Sequence, residues 1–345
     1  MTAPAPPTRA KTTQQRRWQE SLRAWVYIAP AGLIMLFITL LPQGYQIWMA
    51  FTDFRVQNLR FNILSPATWQ DYAPPWIWFD NFVRIITSDM PIENYYFGRL
   101  LLFNVVWTIS NVAFHVTLGV IIAMVLNGKY VLGRRFYRAL YVIPWAMPPL
   151  IAAVTWHNMY DYRFGAVNLL LAQFNQVLGT SLPTDIRWML EGTPPIGGLL
   201  QFLPLAYYCT LVANIWLGWP FMSVVATGAL QAIPSEMYEA AEVDGASPWQ
   251  RFWKITLPLI RPAMVPAIML GSIWTFNQFN VIYFISQGGP LGRTEILVTQ
   301  AYKLVLNHRL YGMAAAFSIV VFLILLVFTL VNNRVTQATE AYDVA

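Results

Sequence analysis

Long apolar segments alternate with polar connections along most of the chain. Windows free of Lys, Arg, Asp and Glu cover residues 25–50, 100–127, 139–160, 205–232, 263–287 and 310–333. Each window is long enough to cross about 30 Å of hydrocarbon as an α-helix. The pattern predicts an all-α fold, a polytopic membrane helix bundle with six transmembrane helices.

The same pattern predicts a single membrane domain at 25–333, between an N-terminal tail at 1–24 and a C-terminal tail at 334–345. We expect the first span to remain as an uncleaved anchor, because no small-residue cleavage site follows it. The connections at 53–99 and 161–204 are predicted to form a partly ordered cap and a short helix with turns.

Composition supports a membrane protein and the distribution of charge orients it. The chain is 57% hydrophobic and 11% charged, against about 25% charged in soluble domains. Basic residues precede the first window and fill the second loop: Arg9, Lys11, Arg16, Arg17, Arg23, Lys129, Arg134, Arg135 and Arg138. Positive loops face the cytoplasm, so both tails and the loop at 234–262 are predicted to be cytoplasmic. The net charge of +6 reflects this sidedness and does not indicate nucleic-acid binding.

The loop at 234–262 is unusually long and polar for a connection between two membrane helices. Ser235 is a candidate N-cap, and Gly245 suits a left-handed helix end. Ser247 and Gln250 have the spacing of a capping box, and the helix that they begin is expected to end at Pro258. The loop is therefore predicted to be two short helices that meet at a glycine.

This loop also resembles a known sequence motif. It contains Glu239, Ala240 and Ala241, then Gly245, and then Ile255, Leu257 and Pro258, spaced as in the coupling loop of bacterial ABC importer permeases. The resemblance implies that Glu239, Ala240, Ala241, Asp244 and Gly245 dock onto a separate cytoplasmic ATPase. The alternative is an amphipathic hairpin on the membrane surface, although such helices favour basic polar faces and this one is acidic.

Helix-breaking residues inside two windows are candidate markers of a transport path. Pro144, Pro148 and Pro149 are predicted to interrupt the third span, and Gly218 with Pro220 the fourth. Broken helices release backbone carbonyls, which only neighbouring helices or a wet cavity can satisfy. A simple packing kink remains the alternative.

Polar residues in the windows are amides, hydroxyls and histidines with no fixed charge. Amides mixed with aromatic rings suit a neutral polyhydroxyl solute such as a sugar. The alternative for each amide is a hydrogen bond between helices. We interpret His115 and His157 as packing residues, because no carboxylate lies within any window to relay protons.

A second resemblance narrows the cargo. The stretches 214–221, 228–234, 288–290 and 313–316 are similar to the maltose-type branch of carbohydrate importer permeases, with Phe221 where that branch often has tyrosine. The resemblance implies a maltose, maltodextrin, trehalose or related glucoside cargo and these sugar contacts: Asn214, Gly218, Phe221, Thr275, Asn277 and Gln278.

The resemblance also implies a bacterial plasma (inner) membrane location and several partners. These are a second permease subunit, two copies of an ATPase and an extracytoplasmic sugar-binding protein. The chain has no phosphate-binding loop of its own, because Gly128-Lys129 lacks the upstream glycine and is followed by tyrosine. We therefore expect no cofactor here, with ATP and Mg²⁺ held by the ATPase.

Two other classes of protein are alternatives to the importer. A membrane-embedded enzyme needs a convergent nucleophile or metal set, and a proton-coupled secondary transporter needs an intramembrane acid or base. The windows contain neither a carboxylate nor a lysine. Sodium coupling through neutral groups remains an open alternative.

Overall fold

The computed structural model describes residues 13–62, 64–128, 131–190 and 203–336. Predictions for 1–12, for Lys129, for 191–202 and for 337–345 lie outside these residues. Within the described ranges the chain is helical, and extended pairing is limited to two isolated bridges. The main helices are α1, which begins at Thr13 and contains the apolar span Ala24–Ala50, α2 Asp80–Thr87, α3 Phe97–Asn127, α4 Arg134–Ala146, α5 Pro149–Met159, α6 Ala166–Leu178, α7 Leu205–Gln231, α8 Ser235–Val243, α9 Pro248–Ser286, α10 Leu297–Leu306 and α11 Tyr311–Thr336.

The membrane crossings agree with the apolar windows. Among the described residues, five helices are long and apolar enough to span a bilayer, namely α1, α3, α7, α9 and α11. The helices α4 and α5, which meet at an angle of 89°, pass the same test when they are taken together, and counting them as one span gives six. The predicted bundle of six spans is thus confirmed, and the predicted break at Pro144–Pro149 is confirmed with it.

The centre of the bundle is the packing of α3 against α7. Gly119 of α3 permits the close approach, because a Cβ there would lie 2.6 Å from Met222 Cβ and 2.9 Å from the Ser223 nitrogen. Helix α9 packs against both α3 and α7. Small residues bring membrane helices close where dispersion contacts replace hydrophobic driving force.

Two predicted helix breaks do not occur. Helix α7 runs without interruption through Gly218 and Pro220. Helix α9 continues past Pro258, because a π turn at Phe252–Thr256 adds a residue to the helix just before the proline. A π turn relaxes the i→i+4 spacing with which a proline ring collides. Pro220 is buried within α7, which packs against α3, α4 and α9, and tertiary packing of this kind supplies most of the stability of a helix.

Buried amides order the described parts of the connections at 53–99 and 161–204. Asn81 of α2 donates hydrogen bonds to the Ala50 and Thr52 carbonyls, at 2.9 and 3.0 Å, and so satisfies the end of α1. Asn168 of α6 donates to the Tyr162 and Ile186 carbonyls. The predicted cap at 53–99 and the short helix in the 161–204 connection are both present.

Candidate functional site

Helix α9 is broken in the middle of the bundle. Its regular part, Leu257–Phe276, stops at Asn277, and helix resumes at Phe279. The Thr275 carbonyl accepts a hydrogen bond from Trp107 Nε1, and the Phe276 carbonyl accepts one from Asn104 Nδ2, both at 3.1 Å. Hydrocarbon offers no such donors, so α3 stabilises the break. The sequence pattern does not predict this break, because no proline or glycine marks it.

A chain of amides runs from α3 through α7 to the broken end of α9. Asn214 donates from Nδ2 to Asn111 Oδ1 at 2.8 Å, and Gln278 donates from Nε2 to Asn214 Oδ1 at 3.1 Å. Asn214 is only 2% exposed. Both ends of its carboxamide are therefore engaged within the protein, as expected of an amide that joins helices.

Both intramembrane histidines contact backbone carbonyls. His115 Nε2 lies 2.9 Å from the Asn214 oxygen, and His157 Nδ1 lies 2.8 Å from the Ile285 oxygen. These contacts join helices, in agreement with the interpretation of the two residues as packing residues. Gly218 lies directly against the His115 ring, where a Cβ would overlap the imidazole. Glycine at 218 therefore serves close packing.

A cavity of about 410 Å³ lies beside this network. Its wall includes all six residues predicted to contact a sugar, Asn214, Gly218, Phe221, Thr275, Asn277 and Gln278. The bend between α4 and α5 adds three residues to the wall that the sequence pattern does not indicate as contacts, Trp145, Met147 and Pro149. The proximity of these three to α7 follows from the 89° bend and is not visible in the local pattern.

The cavity combines aromatic surface with amides and has no fixed charge. The Phe221 ring lies between two indoles, with its centroid 5.8 Å from that of Trp145 and 5.4 Å from that of Trp274. None of the described residues that line the cavity is Asp, Glu, Lys or Arg. Such a wall offers flat apolar faces and neutral hydrogen-bonding groups to a bound molecule.

The loop between α7 and α9 forms two helices that meet at a glycine, as predicted. Gly245 has a φ of 74° and donates its backbone amide to the Glu242 carbonyl at 3.0 Å. The reciprocal bonds between Ser247 and Gln250 are both present. One detail was wrong: Ser235 is the first helical residue and makes no side-chain cap, because the extended Pro234 occupies the N-cap position.

One surface of this loop is exposed and is not packed against any of the described residues. Glu239, Ala240, Asp244 and Gly245 are exposed, and Ala241 is half-buried. Two apolar side chains project beside them, Val243 at 89% and Trp249 at 68% exposed. The structure thus brings the predicted ATPase contacts together on one accessible surface, and their docking role stays a prediction.

The broken central helix, the uncharged cavity and the exposed helical loop define the class as a membrane subunit of a transporter. Residues 115–340 match the family model described as binding-protein-dependent transport system inner membrane component. The chain belongs to this family and is an ABC importer permease, the inner membrane component of a transport system that depends on a binding protein.

Similar proteins agree with this assignment. The chain is 30% identical over 320 residues to the galactooligosaccharides transport system permease protein of Bacillus subtilis, covering 91% of this chain and 70% of that one. It is 30% identical over 323 residues to the trehalose/maltose transport system permease protein of Thermococcus litoralis, covering 94% and 96%.

A solved structure shares the fold. A chain of a bacterial ABC transporter involved in the import of the acidic polysaccharide alginate superposes with a TM-score of 0.71 at 23% identity, covering 94% of this chain and 99% of that one. The predicted class is confirmed, and these comparisons give no support to the ion-coupled carrier or the membrane enzyme.

Proposed function

We propose that this permease imports a neutral oligosaccharide, of the maltose, maltodextrin, trehalose or related glucoside class, that an extracytoplasmic binding protein delivers. The observation that carries the proposal is the cavity, whose described lining includes the Trp145, Phe221 and Trp274 rings and contains no Asp, Glu, Lys or Arg. Sugar C–H faces pack on such rings, while hydroxyls bond to amides such as Gln278. About 410 Å³ falls within the usual range of small-molecule sites, roughly 300–1,000 Å³.

The lack of a fixed positive charge among the described lining residues favours a neutral cargo over an acidic one. A uronate carried through the membrane would need a cationic partner, because an unpaired charge away from water costs several kcal/mol. The lining residues within the described ranges include neither Lys nor Arg, and the His115 ring is engaged with the Asn214 backbone carbonyl. The relatives named for galactooligosaccharides and for trehalose and maltose transport support the same class of cargo.

The exposed loop is the proposed point of energy input. Glu239, Ala240, Ala241, Asp244 and Gly245 would contact one of two ATPase copies, which bind ATP and Mg²⁺. Residues 244–247 join α8 to α9, and an ion pair of 3.0 Å between Arg251 and Glu242 links the two helices. Closure of the ATPase pair would draw this loop toward its counterpart on a second, different permease subunit.

The cavity would then change the side to which it opens. Rigid tilting of two permease subunits around a fixed central site switches access from outside to inside without breaking the site itself. The basic residues of the second loop support a cytoplasmic position for the coupling loop and for both termini.

Reconstitution of the whole complex tests the proposal. Proteoliposomes that contain both permeases and the ATPase, with the binding protein outside, should accumulate radiolabelled maltose or maltotriose only when ATP is enclosed. The matched control replaces ATP with an inward sodium gradient and should show no accumulation. Sugar uptake driven by the sodium gradient alone would overturn the proposal, as would preferential uptake of an acidic oligosaccharide.

A further inference from the structure

One buried amide joins the broken end of α9 to the start of α10. Asn104 of α3 has no exposed surface. Its Nδ2 donates to the Phe276 carbonyl at 3.1 Å, and its Oδ1 accepts from the Leu297 amide at 2.8 Å. A single side chain therefore satisfies one unpaired group at a helix C-terminus and one at a helix N-terminus.

We propose that Asn104 is a positioning residue of the cavity: it holds α9 broken at Asn277, so that Asn277 and Gln278 form part of the wall. The proposal rests on the proposed function only for the nature of the cargo. Asn104 itself does not line the cavity and would act through the backbone that it holds.

Asn104 can hold α9 broken because it offers the Phe276 carbonyl an alternative hydrogen-bond donor. In an uninterrupted helix this oxygen would accept from the amide four residues later, that of Asn280. In hydrocarbon an unpaired carbonyl costs several kcal/mol, so it must find a donor. The Asn104 amide supplies that donor from another helix, and the helical hydrogen bond is not needed.

When the Asn104 amide is removed, the Phe276 carbonyl can regain a donor if the helix continues and the Asn280 amide bonds to it. Continuation of α9 through Asn277 and Gln278 would place successive side chains about 100° apart around the helix axis. Gln278 would then leave the position from which it donates to Asn214 Oδ1 at 3.1 Å. The cavity would lose two neighbouring amides together.

Trp107 supports the same break from one turn further along α3. Its Nε1 donates to the Thr275 carbonyl, which also accepts from the Gln278 backbone amide at 3.2 Å. Because Thr275 retains this second donor, loss of the indole N–H should have a smaller effect than loss of the Asn104 amide.

The experiment compares Asn104→Leu with Asn81→Leu in the complete reconstituted complex. Both positions hold buried asparagines that satisfy helix-end carbonyls, but Asn81 bonds to Ala50 and Thr52 at the outer end of α1. Asn104→Leu should raise the half-saturating sugar concentration about tenfold, the value of one buried hydrogen bond. Asn81→Leu should leave it within about twofold, as expected for a distant site.

Trp107→Phe, which keeps a ring and removes the N–H, should shift the same constant in the same direction by less. Trp107→Phe also tests the proposal if Asn104→Leu does not assemble. The proposal would be overturned if the half-saturating sugar concentration were unchanged in every variant at 104 or 107 that assembles. It would also be overturned if Asn81→Leu shifted this concentration equally.

A second measurement needs no sugar. Gln278→Cys is introduced with Cys209→Ala, and the rate of labelling by a small maleimide is measured in the intact complex. Adding Asn104→Leu should lower this rate several-fold, whereas adding Asn81→Leu should not, and equal rates would contradict the proposal. If labelling changes as expected while the wild-type complex takes up no neutral sugar, Asn104 retains its role and the assigned cargo is wrong.

Discussion

Gln278 of α9 donates a hydrogen bond from Nε2 to Oδ1 of Asn214 on α7, at 3.1 Å. The bond joins two of the residues that resemblance to sugar permeases implies as contacts. It also means that neither side chain is an independent ligand for a sugar, because a change in one alters the hydrogen bonding of the other.

The first prediction is that Asn214→Ala and Gln278→Ala are coupled in their effects on transport. Each single variant should raise the half-saturating sugar concentration, and the double variant should raise it by less than the product of the two. The shared hydrogen bond should account for a coupling of about 0.6–1.7 kcal/mol, as in other membrane bundles. The measurement is a double-mutant cycle on uptake, with normal assembly confirmed by co-purification of the ATPase. Effects that multiply without coupling would show that the contact is not important in the sugar-bound state.

The second prediction concerns Gly218, which lies against the His115 ring. Gly218→Ala would place a Cβ within the volume of the imidazole and push α3 away from α7. We expect a loss of about 1–3 kcal/mol of stability, typical of an overpacked core, together with reduced uptake. Thermal unfolding of the complex in detergent measures the first effect.

Gly228→Ala is the matched control for Gly218→Ala. It lies on the same helix, and a Cβ there has no neighbour within 4 Å. It should be neutral or slightly stabilising, because alanine favours a helix over glycine. Equal destabilisation by both substitutions would show that contact with His115 is not the cause.

The third prediction concerns coupling to ATP hydrolysis. Gly245→Pro is incompatible with a φ of 74° and removes the amide that bonds to Glu242. Proline requires a φ near about −65°, so the angle between α8 and α9 must change. Sugar-stimulated ATP hydrolysis should be abolished, while the basal rate of the ATPase persists.

Gly179→Pro provides the control for the coupling loop. Gly179 ends α6 in the predicted outer segment, with a φ of 65° and open space around it. The same local strain on the opposite side of the membrane should leave sugar-stimulated hydrolysis intact. Full stimulation in Gly245→Pro would mean that the ATPase docks elsewhere.

The fourth prediction tests the orientation that the basic residues indicate. Val243→Cys, at the exposed tip of α8, should react with a membrane-impermeant maleimide only in permeabilised cells. Glu93→Cys, exposed before α3, should react in intact cells. Cys209 is 3% exposed and should contribute little background. Reaction of Val243→Cys in intact cells would show that the topology is opposite to the predicted one.

The amino-acid sequence by itself determined the features that depend on near neighbours. The apolar windows indicate the six spans, the prolines at 144–149 indicate the interruption of the third span, and Ser247, Gln250 and Gly245 set the shape of the coupling loop. Each rests on contacts within about one helical turn or on the transfer of a single segment into lipid. The energies of such local contacts and of transfer into lipid can be inferred from a short stretch of sequence.

Only the tertiary structure decided where backbone groups freed from a helix find partners. Pro220 looked like a break and is not one, because α7 packs against α3, α4 and α9. The residues around Asn277 looked continuous and are broken, because Asn104, 172 residues away from Phe276, supplies the missing donor. The same long-range packing brings Trp145 to Phe221. A hydrogen bond that is lost locally can be replaced by any donor in space, and the sequence pattern does not show which donor is near.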